Sequence, residues 1–444
     1  MTKEEKNPQQ KKQLVILGAG FAGLKLAKLM KNTSYEVTII DKHNYHEFAP
    51  LFYQIASCGL EPGAICFPLR KEFWKADNIH YRYGDVLSID PDFHKIVTDT
   101  EEIFYDELVI ATGVTTKFFG MQQVKDFSFT LKTTSEGLLL RNQILLCLEK
   151  AGECNDLNSR KKMLTFVVSG AGPAGVEVSG ALGELKKYVI PREYPEINPD
   201  EVRILLIEAT DKVLRTMSDT ASRKSAKFLQ ELEVELMLNT GISDYDGNVV
   251  TTTKGDQILT DTLIWTAGVE GFQFPGLRSD VYGPSNRLKV NEYNQLIDHP
   301  HIYAIGDCCI MLTAETPYGH PQVAQVAIQQ ATNLAKNLKE KSLTHAFSYY
   351  DKGSMATIGR NRAVVDLKIH KFAGRFAWWM WLLVHLLTLV GIRNKIVTFI
   401  NWVVNYFTYN SSLRLLIKPT LRGKRPSPYC APCEGNKESP NDSM

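Results

Sequence analysis

The chain has 444 residues, 44% of them hydrophobic and 23% charged, which is ordinary for a globular protein and too long for one compact core. Its formal charge of +2 hides an uneven distribution: residues 367–433 hold ten Lys or Arg and no Asp or Glu, and taking those ten from 51 basic residues leaves 41 against 49 acidic ones, a remainder of −8. Eight cysteines without framework spacing in a chain of this length exclude a small disulfide scaffold and fit a reducing compartment.

The opening twelve residues have no apolar core and read as a solvated tail rather than a secretory signal or transit peptide. Residues 13–23, QLVILGAGFAG, predict a buried strand running into a GxGxxG turn through Gly18, Gly20 and Gly23, with a helix continuing over Lys25–Met30. In such a loop the first glycine permits the turn, the second lets backbone approach a pyrophosphate, and the third lets helix pack on strand. The next strand, Glu36–Ile40, ends at Asp41, 18 positions past Gly23, where an acidic side chain holds a ribose hydroxyl pair. An aromatic segment, residues 44–56, reads as loop and short helix, and YDELVIATG is a buried strand closing on Thr112 and Gly113. A helix is expected over Ser135–Lys150, followed by a polar linker over residues 152–162.

The pattern then repeats. LTFVVSGAGPAGVE (164–177) is a second strand and glycine loop, through Gly170, Gly172 and Gly175, and VRILLIE closes on Glu208. The wider gap between them is assigned to an inserted loop over 186–201, which holds three prolines. TDTLIWTAG, ending at Gly268, echoes YDELVIATG, and HIYAIGDCC is a further buried strand ending in Gly306-Asp307. In the helix after it, Gln322, Gln325 and Gln329 are spaced to share one face, as a solvated stripe or as a binding one. Glu177 falls just past the second loop, where the helix dipole favours a carboxylate.

Toward the basic end, FAWWMWLLVHLLTLV is interrupted only by His385 and Thr388, and reaches 17 residues when extended to Ile392, the short limit for a bilayer span. Residues 393–408 place Ile396, Val397, Phe399, Ile400, Val403, Val404 and Phe407 on one face, opposite Lys395, Thr398, Asn401 and Asn405. An amphipathic helix beside a basic run predicts attachment to an anionic membrane surface; a short span and a buried dimer interface are the alternatives. No nucleic-acid motif accompanies the basic run, so nucleic acid is not expected as a partner. Cys430 and Cys433 form a lone CxxC without a second pair or a neighbouring His, a poor metal site.

Two GxGxxG units, the ATG and TAG strand ends, IGD, the NxHxFxPLxYQ segment after the first unit, GAGPAGVE and QxAQxAxQQ together resemble the type II NADH:quinone oxidoreductases, within the two-dinucleotide-binding-domain flavoproteins. Ala49 departs from the family pattern. The resemblance implies an α/β fold with two Rossmann-like dinucleotide-binding domains, for FAD and NADH, plus a C-terminal amphipathic helical membrane-anchoring region. Its domains would be residues 12–115 and 286–365 for FAD, 116–285 inserted for NADH, and 366–425 for the membrane, with tails at 1–11 and 426–444. By the same resemblance Gly18, Gly20, Gly23, Asp41, Thr112, Gly113 and Asp307 would hold FAD, and Gly170, Gly172, Gly175, Glu208 and Gly268 would hold NADH. Glu177, Gln325 and Gln329 would be catalytic, beside flavin and quinone, and no metal is required because the flavin carries the chemistry. Glu208 is expected to favour NADH over NADPH, since a carboxylate there accepts the 2′-OH and repels a 2′-phosphate.

The implied enzyme passes hydride from NADH to FAD and two electrons to ubiquinone or menaquinone without pumping protons. It would be a homodimer, peripheral on the cytoplasmic face of a bacterial inner or plasma membrane. Sulfide:quinone oxidoreductase is the enzyme alternative and requires a reactive cysteine pair, which Cys147, Cys154, Cys308 or Cys309 would have to supply. Cys58 and Cys66 read as buried thiols. An NADH-sensing, redox-controlled interaction flavoprotein is the alternative of another class.

Overall fold

A computed structural model describes residues 11–314, 316–408 and 413–417; the CxxC at Cys430 and Cys433 and the last four residues of the basic run lie outside them. Each glycine-loop strand becomes the core of its own parallel sheet. In the first sheet the order is Ile302–Ala304, Glu107–Ile110, Lys12–Leu17, Tyr35–Asp41 and Ile79–Tyr83, all parallel. In the second it is Val234–Met237, Arg203–Ile207, Thr165–Ser169 and Thr262–Trp265, again all parallel. The apolar runs of these strands are buried on both faces, as parallel sheets require. Both loops therefore open at the carboxyl ends of their strands, where doubly wound folds bind ligands.

Three expectations between the two glycine-loop strands and after the second loop are corrected. The helix predicted over Ser135–Lys150 spans Thr134–Glu153, because Thr133 accepts the N–H of Glu136 at 3.2 Å while Glu136 reaches back to the N–H of Lys132. The expected linker contains a helix, Leu157–Met163, started by Asp156 accepting from Ser159. The supposed loop after Lys186 is largely helical: Pro173–Glu184 runs into a wider turn over Leu185–Val189 and then Ile190–Glu193. Pro191 is tolerated because it occupies the first turn of that last piece, where its missing N–H is not needed.

At the C-terminal end the strands Ser354–Gly359 and Arg362–Asp366 form a hairpin against the Pro173–Glu184 helix, and two helices follow, Arg375–Thr388 and Ile392–Thr408. Among the described residues no helix is long and apolar enough to cross a membrane. The 14-residue first helix rises about 21 Å and stops where Leu389 turns extended. The second helix is inverted relative to a normal surface helix. Its polar residues face the protein: Asn394 donates to Cys66 O, Thr398 to Ala64 O, Trp402 to Gln54 Oε1 and Asn405 to Gly59 O. Its apolar residues Ile396, Phe399, Ile400, Val403, Val404 and Phe407 face outward, Phe407 being 77% exposed.

Candidate functional site

The two glycine loops are built alike. A Cβ on Gly23 would lie 1.9 Å from Gly18 O, and one on Gly175 would lie 1.8 Å from Gly170 O, so only glycine lets each helix start against its strand. At Gly20 and Gly172 nothing lies within 4 Å of the same position, which leaves space for a ligand to approach backbone. In each unit the strand-end acid also fixes the loop. Asp41 accepts Ala19 N–H at 2.6 Å and His43 N–H at 2.7 Å; Glu208 accepts Ala171 N–H at 2.6 Å and both the N–H and hydroxyl of Thr210 at 2.9 Å. Burial raises the Asp41 pKa, and its two backbone donors hold it down. His46, a structural histidine, donates from Nδ1 to Ala19 O at 2.8 Å and so steadies the first loop.

Thr112 and Gly113 close the strand beside Gly18, and the Thr112 hydroxyl is buried without a partner, as is His46 Nε2. The Gly113 Cβ position is open. Asp307 is drawn toward its neutral form by burial and toward its charged form by Lys132 and Arg287. These open backbone positions, orphaned polar atoms and flanking cations fit a dinucleotide such as FAD along Gly18, Gly20, Gly23, Asp41, Thr112, Gly113 and Asp307. Gly268 sits beneath the Phe119 ring, with Ala267 against Gly170, at the mouth of the second loop. Lys212, the cation nearest Glu208 in sequence, pairs with Asp219 at 2.6 Å, and Arg203 pairs with Glu235 at the far end of its strand. Neither is free to offset Glu208.

Glu177 is the fifth residue of its helix, past the first turn, so the helix N-terminus does not account for it. It is buried, and burial pushes its pKa up to about 8 against the pull of the Thr357 N–H, which donates to Oε1 at 3.4 Å, and of Trp381. It borders a cavity of about 170 Å³ whose other walls include Tyr53, Thr357, Trp381, Trp402 and Tyr406. Trp402 donates to Gln54 Oε1 and Gln54 donates to the Tyr53 hydroxyl, each at 2.7 Å, so the last helix is tied into this wall.

Gln325 and Gln329 do not border that cavity. Each amide pairs with backbone: Gln325 with Gly353 O and Lys352 N, Gln329 with Tyr350 O and N, all at 2.9–3.0 Å. They are thus not a solvated stripe; each NH2 spends one of its two hydrogens on fixing residues 350–353. Gln322 lies before the helix, which begins at Ala324, and donates to Asp307 O. Sequence reasoning missed Gln330, whose Oε1 holds Gly306 N–H at 2.7 Å, and missed Tyr53, Thr357 and Trp381. One signal was present for Trp381: His385, its i+4 neighbour, is the polar break in an apolar run and marks the inward stripe. The six described cysteines form no disulfide, and burial pushes the thiols of Cys58 and Cys66 up to about 11 and those of Cys147 and Cys308 up to about 12.

Residues 12–331 match the family described as pyridine nucleotide-disulphide oxidoreductase, and residues 351–409 match the NDH2 C-terminal domain. The type II NADH:quinone oxidoreductase Ndh of Mycobacterium tuberculosis is 32% identical over 90% of this chain and 89% of its own length. The structure of NDH2 from Plasmodium falciparum in complex with NADH superposes with a TM-score of 0.85 at 22% identity, covering 92% of this chain and all of that one. The sulfide:quinone oxidoreductase of Aquifex aeolicus follows with a TM-score of 0.69 at 20% identity, covering 89% of this chain and 95% of that one.

Proposed function

The chain belongs to the type II NADH:quinone oxidoreductase family, and on that footing we propose that it oxidises NADH and reduces a membrane quinone, ubiquinone or menaquinone. FAD, which Gly18, Gly20, Gly23, Asp41, Thr112, Gly113 and Asp307 would hold, would supply the hydride acceptor for NADH and the two-electron donor for the quinone. The observation that carries the reading is Glu177: a buried carboxyl group, its pKa pushed up to about 8 by that burial, at the wall of an aromatic cavity that also meets the C-terminal helices. Quinone reduction consumes protons, and a buried acid poised near the working pH is suited to supply one. Glu208 and its fixed loop hold the ribose of NADH. Gln325 and Gln329 lie outside that cavity, and their role in this reading is to fix the 350–353 backbone.

The sulfide alternative is not favoured, because burial raises the thiols of Cys147, Cys308 and Cys309 and among the described residues no disulfide is formed. A donor and acceptor screen tests the proposal. Flavin-loaded protein with a short-chain quinone is expected to turn over with NADH, at least tenfold more slowly with NADPH, and not with sulfide. No NADH-dependent quinone reduction would overturn it, and a trace rate with stoichiometric NADH binding would favour the redox-sensing alternative.

The outward apolar face of the Ile392–Thr408 helix supports a seat on an anionic membrane surface, with Phe376, Trp379, Leu383 and Leu387 of the preceding helix extending the patch. Replacing Arg393 and Lys395 by Gln is expected to weaken flotation with anionic vesicles about thirtyfold at low salt, since each cation near such a surface is worth about 1 kcal/mol. Undiminished flotation would remove the electrostatic part of this reading.

A further inference from the structure

The Arg375–Thr388 helix turns Phe376, Trp379, Leu383, Val384 and Leu387 outward, yet Trp381 points the other way and is only 1% exposed. Its carbonyl accepts the His385 Nδ1–H at 2.7 Å, and the His385 ring lies stacked on the indole with centroids 4.0 Å apart. The Tyr53 ring meets the same indole edge-on at 6.3 Å. The indole is therefore clamped from two sides and cannot swing to find an acceptor elsewhere. Its Nε1–H is nevertheless buried without a hydrogen-bond partner. A donor left unpaired in a protein interior is costly and calls for an explanation.

The explanation lies in the acid it faces. Glu177 borders the same cavity as Trp381 and is held by one long bond, 3.4 Å from the Thr357 N–H; the Trp381 Nε1–H, short of a formed hydrogen bond, pulls the same carboxyl toward its charged form. A protonated carboxyl is a poor acceptor, whereas a carboxylate with one weak backbone donor is under-supplied. Of the charged side chains around it, the Arg360 guanidinium donates to Asn405 O and Arg414 pairs with Glu193. Glu184, on the same helix, accepts the Arg360 N–H at 2.5 Å, the Tyr53 oxygen accepts from Gln54, and His385 is committed to the Trp381 carbonyl.

We propose that Trp381 is a positioning residue for quinone reduction: the Glu177 carboxylate closes onto its fixed Nε1–H when that side chain gives up its proton, so a side chain of the outward-facing helix governs proton release in the site. This rests on the reading of Glu177 as the proton donor. In the overall reaction NADH and one proton from solution convert quinone to quinol and NAD⁺. Glu177 relays that solution proton: its O–H bond breaks, the proton goes to a quinone oxygen, the carboxylate takes the indole N–H, and a proton from solvent restores the acid.

The infrared C=O stretch of protonated Glu177 in flavin-loaded, quinone-free protein, assigned by its loss in Glu177→Gln, reads the pair directly. In Trp381→Phe its titration midpoint is expected to rise by about one pH unit, the effect of one lost hydrogen bond to a charged group, and the alkaline limb of kcat is expected to move up with it. An unmoved midpoint in a Trp381→Phe protein that keeps FAD and its native circular dichroism would overturn the proposal. A quinone KM raised at every pH with the midpoint unchanged would overturn it too, by giving the indole to the quinone instead. Wild-type protein supplies a second measurement that needs no folded variant. The ultraviolet resonance Raman marker of indole N–H bonding is expected to shift to the bonded form as pH rises through the Glu177 midpoint, and not to shift in Glu177→Gln; its absence in both proteins counts against the proposal. Failure of wild-type quinone turnover would strike the functional reading alone, leaving the infrared titration to judge the pair.

Discussion

Glu177→Gln is expected to keep FAD and to be reduced by NADH at the wild-type rate, yet to lose quinone turnover by about 10²-fold or more, the usual contribution of a positioned general acid. The amide preserves shape and can still accept from Thr357, so the fold at this wall is retained; what disappears is the proton. Single-turnover flavin reduction and steady-state quinone reduction separate the two steps. Equal loss in both would make Glu177 a structural residue of the NADH site.

The same substitution carries a stability prediction of opposite sign. Burial lifts the Glu177 pKa from 4.5 to about 8. A carboxyl group raised in the folded state contributes stability that is fully present below its unfolded pKa and is lost as pH climbs through the folded one. Wild type should therefore lose ground to Glu177→Gln between pH 4.5 and 8, by up to about 5 kcal/mol once the acid must ionise in place. Thermal melts at pH 5 should nearly coincide, and at pH 9 the Gln variant should melt higher. Parallel melting curves at both values would contradict the buried, protonated acid.

The second large effect is expected at Gly180, which no motif singled out. The Pro173–Glu184 helix packs so closely on the strand Ser354–Gly359 that a Cβ on Gly180 would stand 1.9 Å from Ile358 O and 2.7 Å from its carbonyl carbon. Backbone, unlike the end of a side chain, cannot yield locally. Gly180→Ala must push the strand away from the helix, and the strand carries the Thr357 N–H that holds Glu177 while the adjacent Arg360 N–H holds Glu184. Destabilisation of about 3 kcal/mol, at the upper end for overpacking, should accompany a loss of quinone turnover larger than the loss of flavin reduction by NADH. Gly63→Ala is the control, since nothing lies within 4 Å of its Cβ position. A Gly180→Ala protein with wild-type melting and kcat would mean that this contact does not position Glu177.

These expectations differ in how far the chain alone announces them. Gly18 to Asp41 and Gly170 to Glu208 are legible because their information is local: a glycine at a close approach, an apolar strand and an acid at its end are short-range steric and burial constraints. The basic end was legible for the same reason, since charge and helical period are properties of a short window. The amides of Gln325 and Gln329 were not, because their partners at residues 350–353 arrive only when the chain folds back. The helix-dipole account of Glu177 failed similarly: its position past the first turn is a local fact, but its burial under Thr357 is not.

By itself, then, the sequence determined two dinucleotide loops with their acidic strand ends and an amphipathic basic terminus, because period, steric need and charge act over a few residues at a time. Only the tertiary structure decided that the last helix turns its polar face inward, that a glycine contact sets a strand against Glu177, and that the indole of Trp381 stands unpaired beside it. Those facts depend on side chains about 200 residues apart sharing one small, buried space, where burial makes a proton and a single N–H matter.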